Sequence, residues 1–389
     1  MKLLIISNMA HYYRDDQIVG WGPTVEEINH LSTMFESVRH IGCLYHGTAP
    51  DSALPYTNKN IVLVPVPPAG GESLQEKLRI IKLFPLYLTT IKKELKQCDV
   101  VHLRCPANIP LLALIVLIFS KKPNFRWAKY AGNWNAGKEY PFFYRFQRWI
   151  LKTGLSKCIV TVNGKWTGQK PFIRTFTNPC ITTKEFEDAS VFTREKSFSP
   201  PYKLLFVGAL NERKGVGRLL EIALRLQQNN IPFIFDILGD GPFRQKYEKW
   251  SINHRLEDQI IFHGWIPKNK ISVYYQEAHL NILPSESEGW PKVLSEGMAY
   301  GVVPLAGAVA SIPQILKDTG AGIAISPFDN IDGYITTIQR FIENPILWKE
   351  YSGNAQKSAS AFTYENYLYS VKGLFLNNWN IKLNIIEQK

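Results

Sequence analysis

Short apolar runs recur along this chain and alternate with longer stretches of helical period. KLLIIS, NIVLVPV, DVVHLR, RWAKYAG and CIVTVNG follow one another in the first half; KLLFVGAL, FDILGDG, IIFHGW, LNILPS and VVPLAG follow in the second. Continuous apolar runs bounded by turn residues read as strands buried on both faces, hence parallel strands with crossover helices. The plan is α/β and doubly wound, and it occurs twice. Between the two series lies TTKEFEDASVFTREKSFSPPYK, polar and without a sustained apolar period, and SPP at 199–201 cannot be helix interior. A linker is therefore expected at about 185–201. The expected domains are 1–190 and 191–367, with a last helix at about 368–389 packing back on the first. Thr24 and Glu27 have capping-box spacing and predict a helix start.

Composition narrows the class. The chain has 389 residues and a formal charge of +12, which implies an anionic partner. Five cysteines, scattered and outside any CxxC pair, read as reduced thiols and predict a cytoplasmic protein. The opening MKLLIISN reads as a first buried strand rather than a secretory signal. Ile109–Ser120 is the most lipid-like segment, but its 12 residues fall short of the ~20 a bilayer needs. It is expected as a core helix. No zinc-finger spacing or RNA-binding signature accompanies the charge, so nucleic acid is not expected. Leu74–Gln97 carries Lys77, Arg79, Lys82, Lys92, Lys93 and Lys96 beside an apolar side, and 129–152 adds basic and aromatic groups. These read either as interfacial helices on an anionic membrane surface or as core-packed helices with a solvated basic face.

Ligands of open parallel sheets bind at the carboxyl ends of strands, so the strand-to-helix turns should carry the chemistry. In VGALNERKGVGRLL a strand ends at Gly208, and Lys214 stands at the entry of a helix. That is either a phosphate site or a solvated Lys-Gly turn. LGDGP is a tight turn of low specificity. FHGWIP, with Gly264 and Trp265, is either a plain turn or a backbone edge for a flat heterocycle. In SESEGWPKVLSEGMAYG, Pro291 suits the first helical position and Gly301 a helix stop. Glu288 then lies in the loop and Glu296 in the second turn. An ionised carboxylate accepts from both hydroxyls of a vicinal diol, whereas a plain reading is an acidic helix with one capping carboxylate.

Taken in order, VGAL…KG, GDGP, FHGWIP, EGWPKVLSEGMAYG and ASIPQIL resemble the nucleotide-binding half of the retaining family-four glycosyltransferases. Their fold is GT-B, two doubly wound Rossmann-like domains facing across a cleft. The resemblance covers about 203–375 and weakens over the first 190 residues; the spacing of Glu288 and Glu296 is its most diagnostic element. It implies that Glu296 holds the donor ribose, Glu288 the donor sugar hydroxyls and Lys214 the diphosphate. It further implies that Gly264 and Trp265 meet the base, that the backbone of Gly289 and Trp290 approaches the sugar or phosphate, and that Gly208 borders the site. Gly22 is the best match to a glycine that approaches donor phosphate and acceptor.

The implied activity moves a sugar from a nucleotide diphosphate sugar to a hydroxyl of a lipid-linked or surface-glycan acceptor. Configuration is retained, and neither metal nor cofactor is needed. Two departures stand out: Ala209 replaces a usual arginine, for which Arg213 or Arg218 could substitute, and Pro291 replaces a usual glycine. The turn at Lys129–Trp134 has Asn133 where a histidine is common, and Asn133 is taken as a donor to the reaction. His102 reads as a core residue, and His11 with Arg14–Asp16 as a surface loop. The alternatives are a catalytically silent GT-B scaffold and a GT-B phosphorylase or sugar-phosphate synthase.

Overall fold

The structure, a computed structural model, describes residues 1–68, 74–138 and 140–385, the side chains of 74–81 excepted. It separates into two units, Met1–Thr177 with Leu368–Lys389, and Asn178–Tyr367.

The first unit holds β1 (Lys2–Arg14), β2 (Gln17–Trp21), α1 (Gly22–Ser32), β3 (Ser37–Leu44), β4 (Ala53–Pro55), β5 (Ile61–Val66), α2 (Leu74–Leu95), β6 (Val100–Cys105), α3 (Asn108–Phe119), β7 (Phe125–Tyr130), α4 (Phe142–Thr153), β8 (Ile159–Val162) and β9 (Ile173–Thr175). Strands β5, β3, β1, β6, β7, β8 and β9 lie side by side and parallel. The order reverses between β1 and β6. Leu4, Ile6, Val101, Leu103, Ala128 and Val160 fill the core, and α3 packs there as the buried helix its composition predicts. Among the described residues no helix is long and apolar enough to cross a membrane.

Three local expectations fail here. The polar stretch after Ser7 is not a loop: β1 continues to Arg14, and Asp15 and Asp16, both at positive φ, turn it tightly into β2. The acidic pair makes a hairpin turn. Second, Thr24 and Glu27 form no capping box. α1 already starts at Gly22, and Glu27 accepts instead from Lys129 Nζ at 2.6 Å and Arg104 Nη1 at 2.8 Å. Third, β3 is missing from the apolar runs, because Arg39 and His40 interrupt it.

The second unit continues with α5 (Thr183–Glu195), β10 (Tyr202–Val207), α6 (Val216–Gln228), β11 (Phe233–Leu238), α7 (Arg244–Asn253), β12 (Ile260–Gly264), α8 (Lys268–Glu277), β13 (Leu280–Leu283), α9 (Lys292–Ala299), β14 (Val303–Gly307), α10 (Ile312–Thr319), β15 (Ile323–Ile325), α11 (Ile331–Glu343), α12 (Pro345–Ala359) and the first turn of α13 (Tyr364–Trp379), whose remainder belongs to the first unit. Its six strands are parallel in the order β12-β11-β10-β13-β14-β15. The order reverses between β10 and β13, the position at which doubly wound sheets bind ligands.

Most of the expected linker is helix. A reciprocal cap starts α5: Thr182 Oγ1 accepts from Glu185 N at 3.1 Å, and Glu185 accepts from Thr182 N at 2.6 Å. The helix buries only Ala189 and Thr193, so it shows no apolar period. Beyond it, Lys196 Nζ donates to the carbonyls of Tyr275, Ala278 and Tyr300 at 2.8–2.9 Å, which ties the segment down. After α12 the chain returns to the first unit: Phe375 packs edge-on to Phe35 and Trp379 against Phe125.

Candidate functional site

Two turns meet where the second sheet reverses. The first runs from Gly208 to Gly215, after β10. Asn211 Oδ1 accepts from Lys214 N at 2.9 Å and closes a single turn of 3-10 helix, and Gly215 follows with φ 79°. A side chain at Gly215 would collide with the carbonyl of Pro284, so glycine lets the turns touch. The second turn, Pro284 to Pro291, follows β13. Glu286 N donates to Arg213 O at 3.0 Å, and Arg218 Nε donates to Pro284 O at 2.8 Å.

This contact brings Lys214 and Glu288 together, 74 positions apart in sequence. Lys214 Nζ lies 2.6 Å from Glu288 Oε1. Arg213, the first candidate to replace the missing arginine, points to solvent and pairs with Glu286 at 3.2 Å. Arg218, the second, lies half-buried beside Gly215, its guanidinium over the Phe328 ring. Its Nη2 is buried and makes no hydrogen bond. A buried guanidinium N–H without an acceptor costs stability unless a ligand supplies one.

Pro291 is the residue before α9 rather than its first helical position; its ψ of 121° is extended, and the helix begins at Lys292. Glu296 sits in the second turn, half-buried. Tyr275 Oη on α8 donates to it at 3.1 Å. Burial raises the Glu296 pKa, and Lys268, Lys292 and the Tyr275 hydroxyl oppose that rise. No pattern in the sequence marks Tyr275.

The other expected residues fall as follows. Gly208 ends the β10 turn; Gly239 approaches its carbonyl so closely that no side chain would fit. Gly264 ends β12, two strands from the reversal, where its carbonyl accepts from Gly239 N at 2.8 Å, and Trp265 beside it is partly exposed. Gly289 O accepts from Ser311 Oγ at 2.8 Å. The Trp290 ring is core: it stacks on Phe362, and its Nε1 donates to Ser295 Oγ at 2.7 Å. Only its backbone remains for a ligand. In the first unit Gly22 is buried in the first turn of α1, its N–H donating to Ser52 O at 3.1 Å. Asn133 Oδ1 accepts from Asn135 N at 3.0 Å and closes a turn.

Of the remaining histidines, His102 is buried against Trp127, ring centroids 3.8 Å apart, as a core residue. His11 is not on a surface loop but fully buried, and it belongs to a hydrogen-bonded chain with Tyr56, His40 and Ser7. Nothing in the sequence links these four positions. Among the described residues, no cluster of three His, Cys, Asp or Glu could hold a metal ion.

Known proteins resemble this chain in sequence over part of its length and in fold over most of it. Residues 190–358 match the family model described as Glycosyl transferases group 1. A putative colanic acid biosynthesis glycosyltransferase, WcaL of Salmonella typhimurium, is 27% identical over 143 residues, 35% of either chain. The matched stretch thus spans about a third of that curated relative. Among solved structures, sucrose-phosphate synthase from Thermosynechococcus elongatus superposes with a TM-score of 0.72 at 16% identity, covering 97% of this chain and 99% of the other. Anabaena Alr3699/HepE in complex with UDP and glucose superposes with a TM-score of 0.67 at 14% identity, covering 97% and 100%. Residues 190–358 thus match the model of the glycosyl transferases group 1, and the fold of the chain is GT-B.

Proposed function

We propose that the chain is a retaining glycosyltransferase that takes its sugar from a nucleoside diphosphate sugar. The observation that carries this reading is the convergence of Lys214, Glu288 and the unpartnered Arg218 Nη2 at the reversal between β10 and β13. Lys214, Arg218 and the N-terminus of α6 neutralise the diphosphate as the bond from the sugar C1 to its phosphate oxygen breaks. Glu288 accepts from hydroxyls of the transferred sugar, and Glu296, held by Tyr275, accepts from the ribose. The acceptor oxygen bonds C1 on the face the phosphate leaves, and the departing phosphate takes the acceptor proton. This front-side exchange retains configuration, and it asks for neither a protein nucleophile nor a metal.

The Ala209 replacement favours the rival reading, a silent scaffold. Arg218 answers it, since it puts a guanidinium beside Gly215, the residue after Lys214. Thermal stabilisation by UDP, GDP, ADP and CMP tests the donor site, with Glu296→Ala as control. A ligand at 100 times its dissociation constant adds about 2.7 kcal/mol. One nucleotide should stabilise the wild type and not the variant; no stabilisation by any of them overturns the reading. A nucleotide that binds without supporting transfer to any acceptor favours the scaffold, and phosphate-dependent turnover favours a phosphorylase.

The acceptor we infer is lipid-linked or a growing surface glycan, met at an anionic membrane surface. Helix α4 supports that partner. Phe142, Phe143 and Trp149 are more than half exposed on it, with Arg145 and Lys152 exposed between and after them. Phe142, Phe146 and Trp149 stack in series. Exposed aromatics flanked by cations suit the headgroup region of a bilayer. On α2 Lys82, Lys92, Lys93 and Lys96, just beyond it, are exposed, whereas the side chains of Lys77 and Arg79 lie outside the described residues. Flotation with phosphatidylglycerol vesicles, and not with phosphatidylcholine, should carry the protein. Flotation unchanged in Phe142→Ser/Trp149→Ser would remove α4 from this role.

A further inference from the structure

The first unit also reverses its strand order, between β1 and β6, and a cavity of about 670 Å³ opens there. Its lining includes Ser7, Tyr12, Trp21, Arg104 and Ala107, all of the first unit. Three features of that lining define a ligand.

Arg104 is the one charged residue among the described residues of the lining. Glu27 behind it holds the guanidinium at 2.8 and 3.3 Å, but the same carboxylate also accepts from Lys129 at 2.6 Å. Ala107 precedes the first residue of α3, so the positive end of that helix lies at the cavity as well. Both favour an anionic group.

The rings come second. Trp21 lines the cavity yet is 56% exposed, and Tyr12 lines it too. An exposed indole at the rim of the cavity offers a flat apolar face to the C–H side of a sugar ring.

Third is the polarity of the buried chain. The Met9 carbonyl can only accept, so His11 Nδ1 carries a proton and donates to it at 3.1 Å. His11 is fully buried and neutral, so its Nε2 accepts from Tyr56 Oη at 2.9 Å. Tyr56 Oη accepts in turn from His40 Nδ1 at 2.7 Å, and His40 Nε2 accepts from Ser7 Oγ at 2.8 Å. The Ser7 proton is committed inward. One of its lone pairs takes the Met9 N–H at 3.0 Å, and the other can only accept from a ligand O–H.

We propose that this cavity binds an acceptor sugar bearing a negative group, with its ring on Trp21, its anion at Arg104 and a hydroxyl donating to Ser7. This extends the glycosyltransferase reading by naming the acceptor's class. The anion is a carboxylate or a phosphate; the geometry suits either.

The test is saturation-transfer NMR titration of the full chain with methyl β-glucuronide, glucose 6-phosphate and methyl β-glucoside. At least one anionic probe should bind tenfold or more tighter than the neutral glucoside, and the better of the two identifies the anion. Arg104→Gln and Trp21→Ala should each weaken the anionic probe about tenfold. Should Arg104→Gln fail to fold, Trp21→Ala carries the test, because its side chain is exposed. Glu296→Ala should leave probe binding intact while abolishing nucleotide binding. Equal binding of neutral and anionic probes, no binding of any, or no effect of Trp21→Ala overturns the proposal. A wild-type chain that binds the anionic probe but no nucleotide would count against the donor site alone.

Discussion

Lys214 and Glu288 neutralise each other across a 2.6 Å contact, although the proposed chemistry gives them different parts of the donor. The cation is therefore engaged before any diphosphate arrives, and a donor must displace the carboxylate to reach it. Replacing Glu288 by glutamine should tighten nucleoside diphosphate binding about threefold and lower transfer at least a hundredfold. Lys214→Ala should weaken UDP by about tenfold to a hundredfold, the range of a charge-assisted hydrogen bond, and uridine hardly at all. Calorimetric titration of both ligands into both variants checks this; an equal loss for UDP and uridine in Lys214→Ala would exclude a phosphate role.

Arg218 and Arg213 offer a direct contrast. Arg218→Ala should weaken diphosphate binding tenfold or more, since its buried Nη2 awaits an acceptor. Arg213→Ala, on an exposed pair with Glu286, should change it less than twofold. The same titrations decide; reversed sizes would move the missing arginine's role to Arg213.

Tyr275 acts through Glu296. Its hydroxyl stabilises the ionised carboxylate, which burial otherwise disfavours. Tyr275→Phe should weaken nucleotide binding threefold to tenfold. It should also raise the Glu296 pKa, so that affinity is lost at a higher pH on acidification. Affinity against pH reads both effects; a uniform loss at every pH would mean that Tyr275 only packs.

Acid should loosen the first unit through its buried histidines. Burial lowers the His11 pKa to about 4, and lowers His40 and His102 as well. A depressed folded pKa means that the unfolded chain binds the proton first. The stability His11 contributes is therefore complete above about pH 6.5 and is lost as pH falls through about 4. For His11 alone the loss is about 3 kcal/mol. Urea midpoints followed from pH 7.5 to 4.5 should fall steadily, and a flat profile would show that these rings take up protons as readily in the folded chain as in the unfolded one.

The second unit was the more legible in sequence. Strands such as Leu280–Leu283 and Val303–Gly307 are buried on both faces, so their apolar runs are continuous. The first unit hides more. β3 contains Arg39 and His40, and β1 runs on through the polar His11, because hydrogen bonds rather than apolar contacts satisfy those side chains. Helix α5 escapes notice for a similar reason: its cap, not its buried face, defines it. The placement of Glu288 in the loop and of Glu296 in the second helical turn was legible from Pro291 and Gly301. Their partners were not, because Lys214 reaches Glu288 only through the adjacency of β10 and β13, and Tyr275 reaches Glu296 only through the packing of α8 beside α9.

The return of α13 to the first unit has a consequence for the order of synthesis. Phe35 and Phe125 emerge from a ribosome well before their aromatic neighbours Phe375 and Trp379 are translated. The second unit, whose residues are contiguous, can close while the first still waits for the segment that starts at Leu368. A nascent chain stalled before residue 368 should therefore resist protease over 178–367 and remain susceptible over 1–177.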